Sequence, residues 1–346
     1  MTLGSQVAGP RSGRGPAPDP DCSVVIVNYY SEALLRRCLE SLPSAADPRS
    51  LEVIVVDNSG TARHSGALDT FPETRLIEAG GNVGFARACN LGMAAARGRH
   101  LLLLNPDTVA QPEAVATLSR YLDASPEAGA VAARLLNPDG TLQYSCRRFP
   151  RPFSILFGRY ALLTRLFPGN PVSSDYLYLD WDHAQARPVD WVSGACLMVR
   201  RDVFERVGGL DEGYFLFVED MDWCHRIRDA GHEVVYVPQA EVTHHIGASR
   251  GPVPAWVTWE RHRSMLRYIR KHFAWPRALV MLAGLGLALR GALAILEDRF
   301  RGGRPAHSPE IARRRPLPEE YGATEEPVNR TGQAGQVPLT ARLPPG

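Results

Sequence analysis

Apolar and polar positions follow two alternating patterns along the chain. Short apolar runs that end on a polar residue recur as Ser23-Val24-Val25-Ile26-Val27-Asn28, Leu51-Glu52-Val53-Ile54-Val55-Val56-Asp57 and Leu101-Leu102-Leu103-Leu104-Asn105-Pro106-Asp107. Runs with little polar interruption predict strands covered on both faces, as in parallel sheets. Between them, residues 31–42 put Leu34, Leu35, Cys38, Leu39 and Leu42 on one helical face, with Ser31 as the expected N-cap. Arg75-Leu76-Ile77-Glu78 is a weaker third strand, and residues 85–97 predict a helix stopped by Gly98. Successive strand-helix-strand steps predict a parallel sheet with right-handed crossovers.

The rhythm continues with a helix over 112–124, a strand over Ala128–Leu136 and a hairpin turn at Asn137-Pro138-Asp139-Gly140. It weakens over 144–188, where either a long acceptor-side loop or a helix over 153–167 fits. Residues 191–199 read as a strand in which Gly194 admits a ligand or marks a bulge. A short helix over 202–207 ends at Gly208-Gly209, and residues 232–237 form a further strand. Residues 256–273 are basic and amphipathic, suited either to an anionic membrane face or to packing on the domain. Residues 278–296 are apolar apart from Arg290, which favours an in-plane or peripheral membrane helix over a crossing.

Composition narrows the class. The chain has 346 residues, 45% hydrophobic and 22% charged, which excludes wholesale disorder and collagen-like structure. A formal net charge of +2 gives no global field for nucleic acid, so no nucleic-acid partner is expected. Six cysteines without a Cys-x-x-Cys pair predict a reduced, intracellular chain lacking a structural zinc site. Residues 1–20, rich in Gly, Pro and Arg with no apolar core, are expected to be a disordered leader rather than a secretory signal. Residues 301–346 are expected to be a disordered tail.

Four stretches carry candidate chemistry. Asp107 follows a strand's carboxyl end, the edge where open α/β sheets bind ligands, although Asn105 and Asp107 also suit a plain turn. Gly80-Gly81-Asn82-Val83-Gly84-Phe85 opens a helix, as a phosphate-binding loop does and as ordinary turn chemistry does. The first strand runs into Asn28-Tyr29-Tyr30 with no Gly-x-Gly-x-x-Gly, and there is no Walker loop. Glu219-Asp220-Met221-Asp222-Trp223 opens a helix either as capping charges or as crowded carboxylates, whose raised pKa suits a general base. The pair His244-His245 is either a surface pair or a metal-ligand candidate.

Taken in order, Val27-Asn28-Tyr29, Val55-Val56-Asp57-Asn58-Ser59, Asn82-Val83-Gly84-Phe85 with Asn90, and Leu104-Asn105-Pro106-Asp107 carry a resemblance. Ser193-Gly194-Ala195, Gly208-Gly209-Leu210-Asp211-Glu212, Glu219-Asp220-Met221-Asp222-Trp223 and the stretch from His244 to Ser249 extend it. From about residue 21 to 270 the chain resembles the inverting family 2 glycosyltransferases, especially their rhamnosyltransferase-like branch. The resemblance implies an α/β fold of GT-A type over 21–250, a mostly parallel central sheet flanked by helices, with C-terminal membrane-associating helices over 251–300. It implies a nucleotide-sugar donor, first choice dTDP-rhamnose, held by Asn28, Asp57, Asn82, Gly84, Phe85 and Asn105. Asp107 and His244 would hold Mg²⁺ or Mn²⁺, with Asn105 standing where the family's metal motif has its first carboxylate. Asp220 would be the catalytic base, with Glu219, Asp222 and Trp223 binding the acceptor or orienting the base. The implied acceptor is a hydroxyl of a glycan or polyprenyl-linked glycan in cell-surface polysaccharide assembly. The implied place is cytoplasmic, peripheral to the inner face of the cell membrane. Two alternatives compete: another nucleotide-using enzyme on a doubly wound sheet, and a catalytically inactive GT-A module binding glycan or a membrane-bound partner.

Overall fold

Strands β1 (Cys22–Asn28) and β2 (Leu51–Asp57) pair in parallel over their whole length, so that Asn28 stands directly beside Asp57. In this computed structural model, residues 19–60, 68, 71–150, 171–245 and 254–300 are described. Strand β3 (Arg75–Glu78) lies parallel outside β2, and β4 (His100–Leu104) lies parallel on the other side of β1. Their connections are helices α1 (Glu32–Ala46) and α2 (Phe85–Ala95). A three-residue strand β5 (Thr108–Ala110), helix α3 (Ala114–Ala124) and strand β6 (Ala128–Leu136) follow. Next come β7 (Cys146–Arg147), α4 (Pro171–Tyr176), β8 (Arg187–Val189), β9 (Trp191–Val192) and β10 (Cys196–Arg200). Helices α5 (Arg201–Val207) and α6 (Glu219–Asp229), the long strand β11 (Glu233–His244), and helices α7 (Ala255–His272) and α8 (Arg277–Phe300) complete the described elements.

The main sheet runs β3-β2-β1-β4-β10-β6-β11-β5, with β8 also on β11. It is parallel from β3 to β4, but β10 enters antiparallel between β4 and β6, and β5 and β8 are antiparallel on β11. Alternate residues feed two cores. Val25, Ile54, Leu101, Leu103, Leu197 and Tyr236 face one side, packed with Met93 of α2 and Trp223 of α6. Val24, Ile26, Val55, Leu102, Met198 and Val235 face the other, with Leu39 of α1 and Leu118 of α3. Burial on both faces is what makes these strands apolar at nearly every position.

Some boundaries differ from the sequence reading. Helix α1 continues through Pro43, because a proline removes one amide donor while Ala45 and Ala46 still gain by burial. Ser31 stands at its N-cap position, but its hydroxyl donates to the Tyr29 carbonyl, and the Asn28 side chain accepts from the Ser31 amide. Gly194 falls in the break between β9 and β10. Within the expected leader, the Pro20 carbonyl accepts from the Arg99 amide. The rest of the expected leader, the helix over 153–167, the motif residues after His245 and the expected tail lie outside the described residues.

Helix α7 packs on the domain rather than standing free, with Tyr268 and Ile269 fully buried. Its charges are largely engaged there: Arg267 and Lys271 pair with Asp211, and Arg261 lies over the Phe217 ring at 4.5 Å. Helix α8 packs on α7 through Gly284 against Leu266 and Gly291 against Trp259. Its opposite face leaves Leu282, Leu285, Leu289 and Leu293 exposed, while Arg290 is partly buried. Residues Arg277–Leu296 form a stretch long and apolar enough to cross a membrane, with a mean hydropathy of 2.1.

Candidate active site

The polar ends of the parallel strands gather at one edge of the sheet. Asn28 and Asp57 are neighbours there, both about 1% exposed, and one Asp57 oxygen accepts from the Ser59 amide and hydroxyl at 3.0 and 2.7 Å. Asn58, in the same turn, holds the glycine loop: its side-chain oxygen accepts from the Val83 amide at 2.9 Å, and its amide group donates to Asn82 Oδ1 at 3.2 Å. The loop in turn touches the segment before α6. Gly84 has φ +90°, and a Cβ there would sit 2.8 Å from the Phe215 carbonyl oxygen, which already accepts from the Phe85 amide. Only glycine fits that combination of backbone angle and contact.

Phe217 and Val218 reach α6 with φ of +69° and +74°. A β-branched residue in this region is strained, which fits a segment fixed by surrounding contacts. The bend turns the start of α6 toward Gly194. The Gly194 amide donates to Asp220 Oδ2 at 2.9 Å, and the Met221 amide to Oδ1 at 2.8 Å. Phe85 approaches the same glycine, so the glycine loop and Asp220 share one corner.

Electrostatics separates the three acidic groups. Burial, then the adjacent Asp220 charge, pushes the Glu219 carboxyl well above its ordinary range. Burial also raises Asp220, against the Gly194 and Met221 amides and the positive charge of Arg147. The two backbone amides that donate to Asp220 favour its charged form and oppose the effect of burial there. For Asp222, burial alone would raise the pKa, but hydrogen bonds from His272 and Lys271 and the guanidinium of Arg226 hold it well below the usual carboxylate range.

That places two predicted site residues elsewhere. Asp222 is fully buried, bonded to His272 at 2.7 Å, Lys271 at 2.8 Å and Arg226 at 2.9 Å, and so ties α7 to α6. Trp223 is likewise fully buried and donates its indole N–H to the Gly208 carbonyl, so it is a core residue and stacks on no sugar. Asn90, quoted in the motif pattern, clamps the chain at Leu210 through bonds of 2.9 and 2.8 Å.

Asp107 and His244, distant in sequence, meet because β5 pairs antiparallel with the end of β11. The His245 amide donates to the Asp107 carbonyl at 2.8 Å, and His244 Nε2 lies 3.2 Å from Asp107 Oδ1. Two neighbouring ligands of an octahedral Mg²⁺ or Mn²⁺, each at about 2.1 Å, stand about 3 Å apart, so this carboxylate-imidazole pair fits such an ion. Asn105 lies at the same edge, its amide donating to the Ala195 carbonyl at 3.0 Å. A separate group, His225, Asp229 and His272, has ligand atoms within 4.8 Å of one another, but His272 is bonded to Asp222 and His225 to Tyr268. Sequence reasoning missed Arg147, which pairs on β7 with Trp191 two residues before Ser193; a lone arginine in a stretch of weak pattern gives no signal of that placement.

A family model described as glycosyltransferase like family 2 matches residues 18–278, and the chain belongs to that family. It is 36% identical to the N-acetylglucosaminyl-diphospho-decaprenol L-rhamnosyltransferase of Mycobacterium tuberculosis, over 79% of this chain and 90% of that protein. It is 28% identical to rhamnosyltransferase WbbL of Escherichia coli, over 64% of this chain and 82% of that one. A mannosyltransferase from Pyrobaculum calidifontis, solved with GDP-Man and Mn²⁺, shares the fold with a TM-score of 0.51 and 19% identity, covering 83% of this chain and 77% of its own. The protein is a glycosyltransferase, and its sheet is the mixed, helix-flanked α/β sheet described above.

Proposed function

We propose that the protein is an inverting rhamnosyltransferase that moves rhamnose from dTDP-rhamnose to a hydroxyl of a polyprenyl-diphosphate-linked sugar, in assembly of a cell-surface polysaccharide. The observation that carries the reading is the Asp220 carboxylate held by the Gly194 and Met221 amides in the corner it shares with the glycine loop. The name and 36% identity of the mycobacterial relative support the donor and acceptor class. In this reading Asn28 and Asp57 receive the nucleotide base, and Asn82, Gly84, Phe85 and Asn105 line the donor. Asp107 and His244 hold Mg²⁺ or Mn²⁺, whose charge, when bound, stabilises the leaving diphosphate. Asp220 takes the proton from the acceptor hydroxyl as that oxygen bonds to the anomeric carbon. The bond from that carbon to the diphosphate breaks on the opposite face, the electron pair leaves with dTDP, and the configuration inverts. Glu219, whose charged form burial disfavours, is assigned to the acceptor side.

Thermal shift with dTDP, UDP and GDP, with and without Mn²⁺, tests the donor assignment. A ligand at 100 times its Kd stabilises the folded state by about 2.7 kcal/mol. The expected result is a shift with dTDP that grows with Mn²⁺ and loses its metal-dependent part in Asp107→Ala. Stabilisation by none of the nucleotides would favour the inactive binding module instead.

The exposed leucine face of α8 supports attachment to the cytoplasmic face of the membrane, where a polyprenyl acceptor lies. Burying one leucine contributes about 1.5–3 kcal/mol. The double substitution Leu285→Gln, Leu289→Gln is therefore expected to move the protein from the floating to the soluble fraction in liposome flotation. A wild-type chain that stays soluble with liposomes would remove the membrane from this reading.

A further inference from the structure

The hairpin after β6, otherwise a turn between two strands, ends beside the imidazole of His244. Gln143 Oε1 lies 2.7 Å from His244 Nδ1, and both residues are buried, 6% and 8% exposed. The direction of every bond in the chain behind it is fixed. Asp139 accepts from the Thr141 hydroxyl at 2.6 Å, so that hydroxyl's oxygen receives the Asn137 amide group at 2.9 Å. Asn137 Oδ1 therefore faces Gln143 and accepts from its amide group at 3.0 Å, which also reaches the His244 carbonyl at 3.4 Å. With its nitrogen so placed, Gln143 presents only its oxygen to the imidazole. An acceptor at that position requires the proton on Nδ1. In the neutral imidazole Nε2 then carries the lone pair, and it is Nε2 that lies 3.2 Å from Asp107 Oδ1.

We infer that Gln143, set by Asn137 and Thr141, is a positioning residue that holds His244 in the Nδ1–H form, keeping Nε2 free to ligate the divalent cation beside Asp107. The inference rests on the metal role given to Asp107 and His244 above. Without the Gln143 acceptor, the other tautomer is favoured, because an Nε2–H would donate to Asp107 and close off the ligand position. Imidazole ligands generally donate their second ring N–H to such a partner, and loss of it costs about 10–100-fold in metal affinity.

The test is Mn²⁺ affinity of the full chain in the presence of dTDP, read by electron paramagnetic resonance, together with the His244 tautomer read by ¹⁵N NMR without metal. Gln143→Met is expected to weaken Mn²⁺ by about 10–100-fold and to move the proton to Nε2. Gln143→Glu, which keeps the acceptor, is expected to stay near the wild-type affinity. In a His244→Ala background, Gln143→Met is expected to add no further loss. Wild-type affinity in Gln143→Met, or an equal loss with and without His244, would overturn the inference. An Nε2–H tautomer in the metal-free wild type would overturn it without any variant. If His244→Ala itself leaves Mn²⁺ affinity unchanged, the metal site beneath the inference fails, which is a distinct outcome.

Discussion

Asp220→Asn is expected to lower kcat by about 10²–10⁴-fold while leaving dTDP and Mn²⁺ affinity near the wild-type value. The base acts on a proton that moves only in the transition state, so the loss falls on kcat and not on donor binding. The amide matches the carboxylate in shape but presents an NH2 group to one of the two backbone amides now bonded to Asp220, at a cost of about 1 kcal/mol in stability. The protein therefore stays folded, and single-turnover transfer separates the chemical defect from binding. Wild-type turnover in this variant would remove Asp220 from the mechanism. The pH profile adds a sign. Burial raises the Asp220 pKa, so the acid limb of kcat lies above the ordinary carboxylate value of about 3.9, and activity rises as pH passes upward through it. Glu219→Gln keeps the shape of a side chain whose charged form burial disfavours, and is expected to keep most activity.

The second large effect is on stability. Asp222→Asn leaves Arg226, Lys271 and His272 around a neutral group and is expected to destabilise the fold by about 3–5 kcal/mol in urea titrations at pH 7. The folded-state pKa of Asp222 is depressed, so its contribution is fully present above the unfolded value of about 3.9. As pH falls below that value toward the folded pKa, the contribution is lost. The stability gap between wild type and variant should therefore close in acid. A gap that stays constant from pH 7 into that acid range would mean the ion cluster is not its origin.

The parts of the molecule legible in its sequence are those whose physics is local. Strands β1, β2 and β4 declare themselves because burial on both faces demands unbroken apolar runs, and the polar residues ending them mark the carboxyl edge of the sheet. The antiparallel entry of β10 is not legible, since a buried strand reads the same in either direction. Strand β5, three residues long, has too little pattern to be seen. Asp222 and Asp220 share one acidic motif, yet they differ because α7 brings Lys271 and His272 to the first and Gly194 meets the second. Nothing within the motif distinguishes them. Gln143 is silent for the same reason, its partner lying 101 positions away.

The antiparallel pairing of β5 with β11 means that Asp107 and His244 become neighbours only after the last strand of the sheet has docked. A chain still emerging from the ribosome, or cut before β11, contains Asp107 but not the imidazole that faces it. In the proposed reading, affinity for the divalent cation is thus a gauge of completed folding, and an ion bound with its nucleotide would act as a clasp between β5 and β11. Nucleotide and metal added together should slow proteolytic cleavage at the β11 edge more than either does alone.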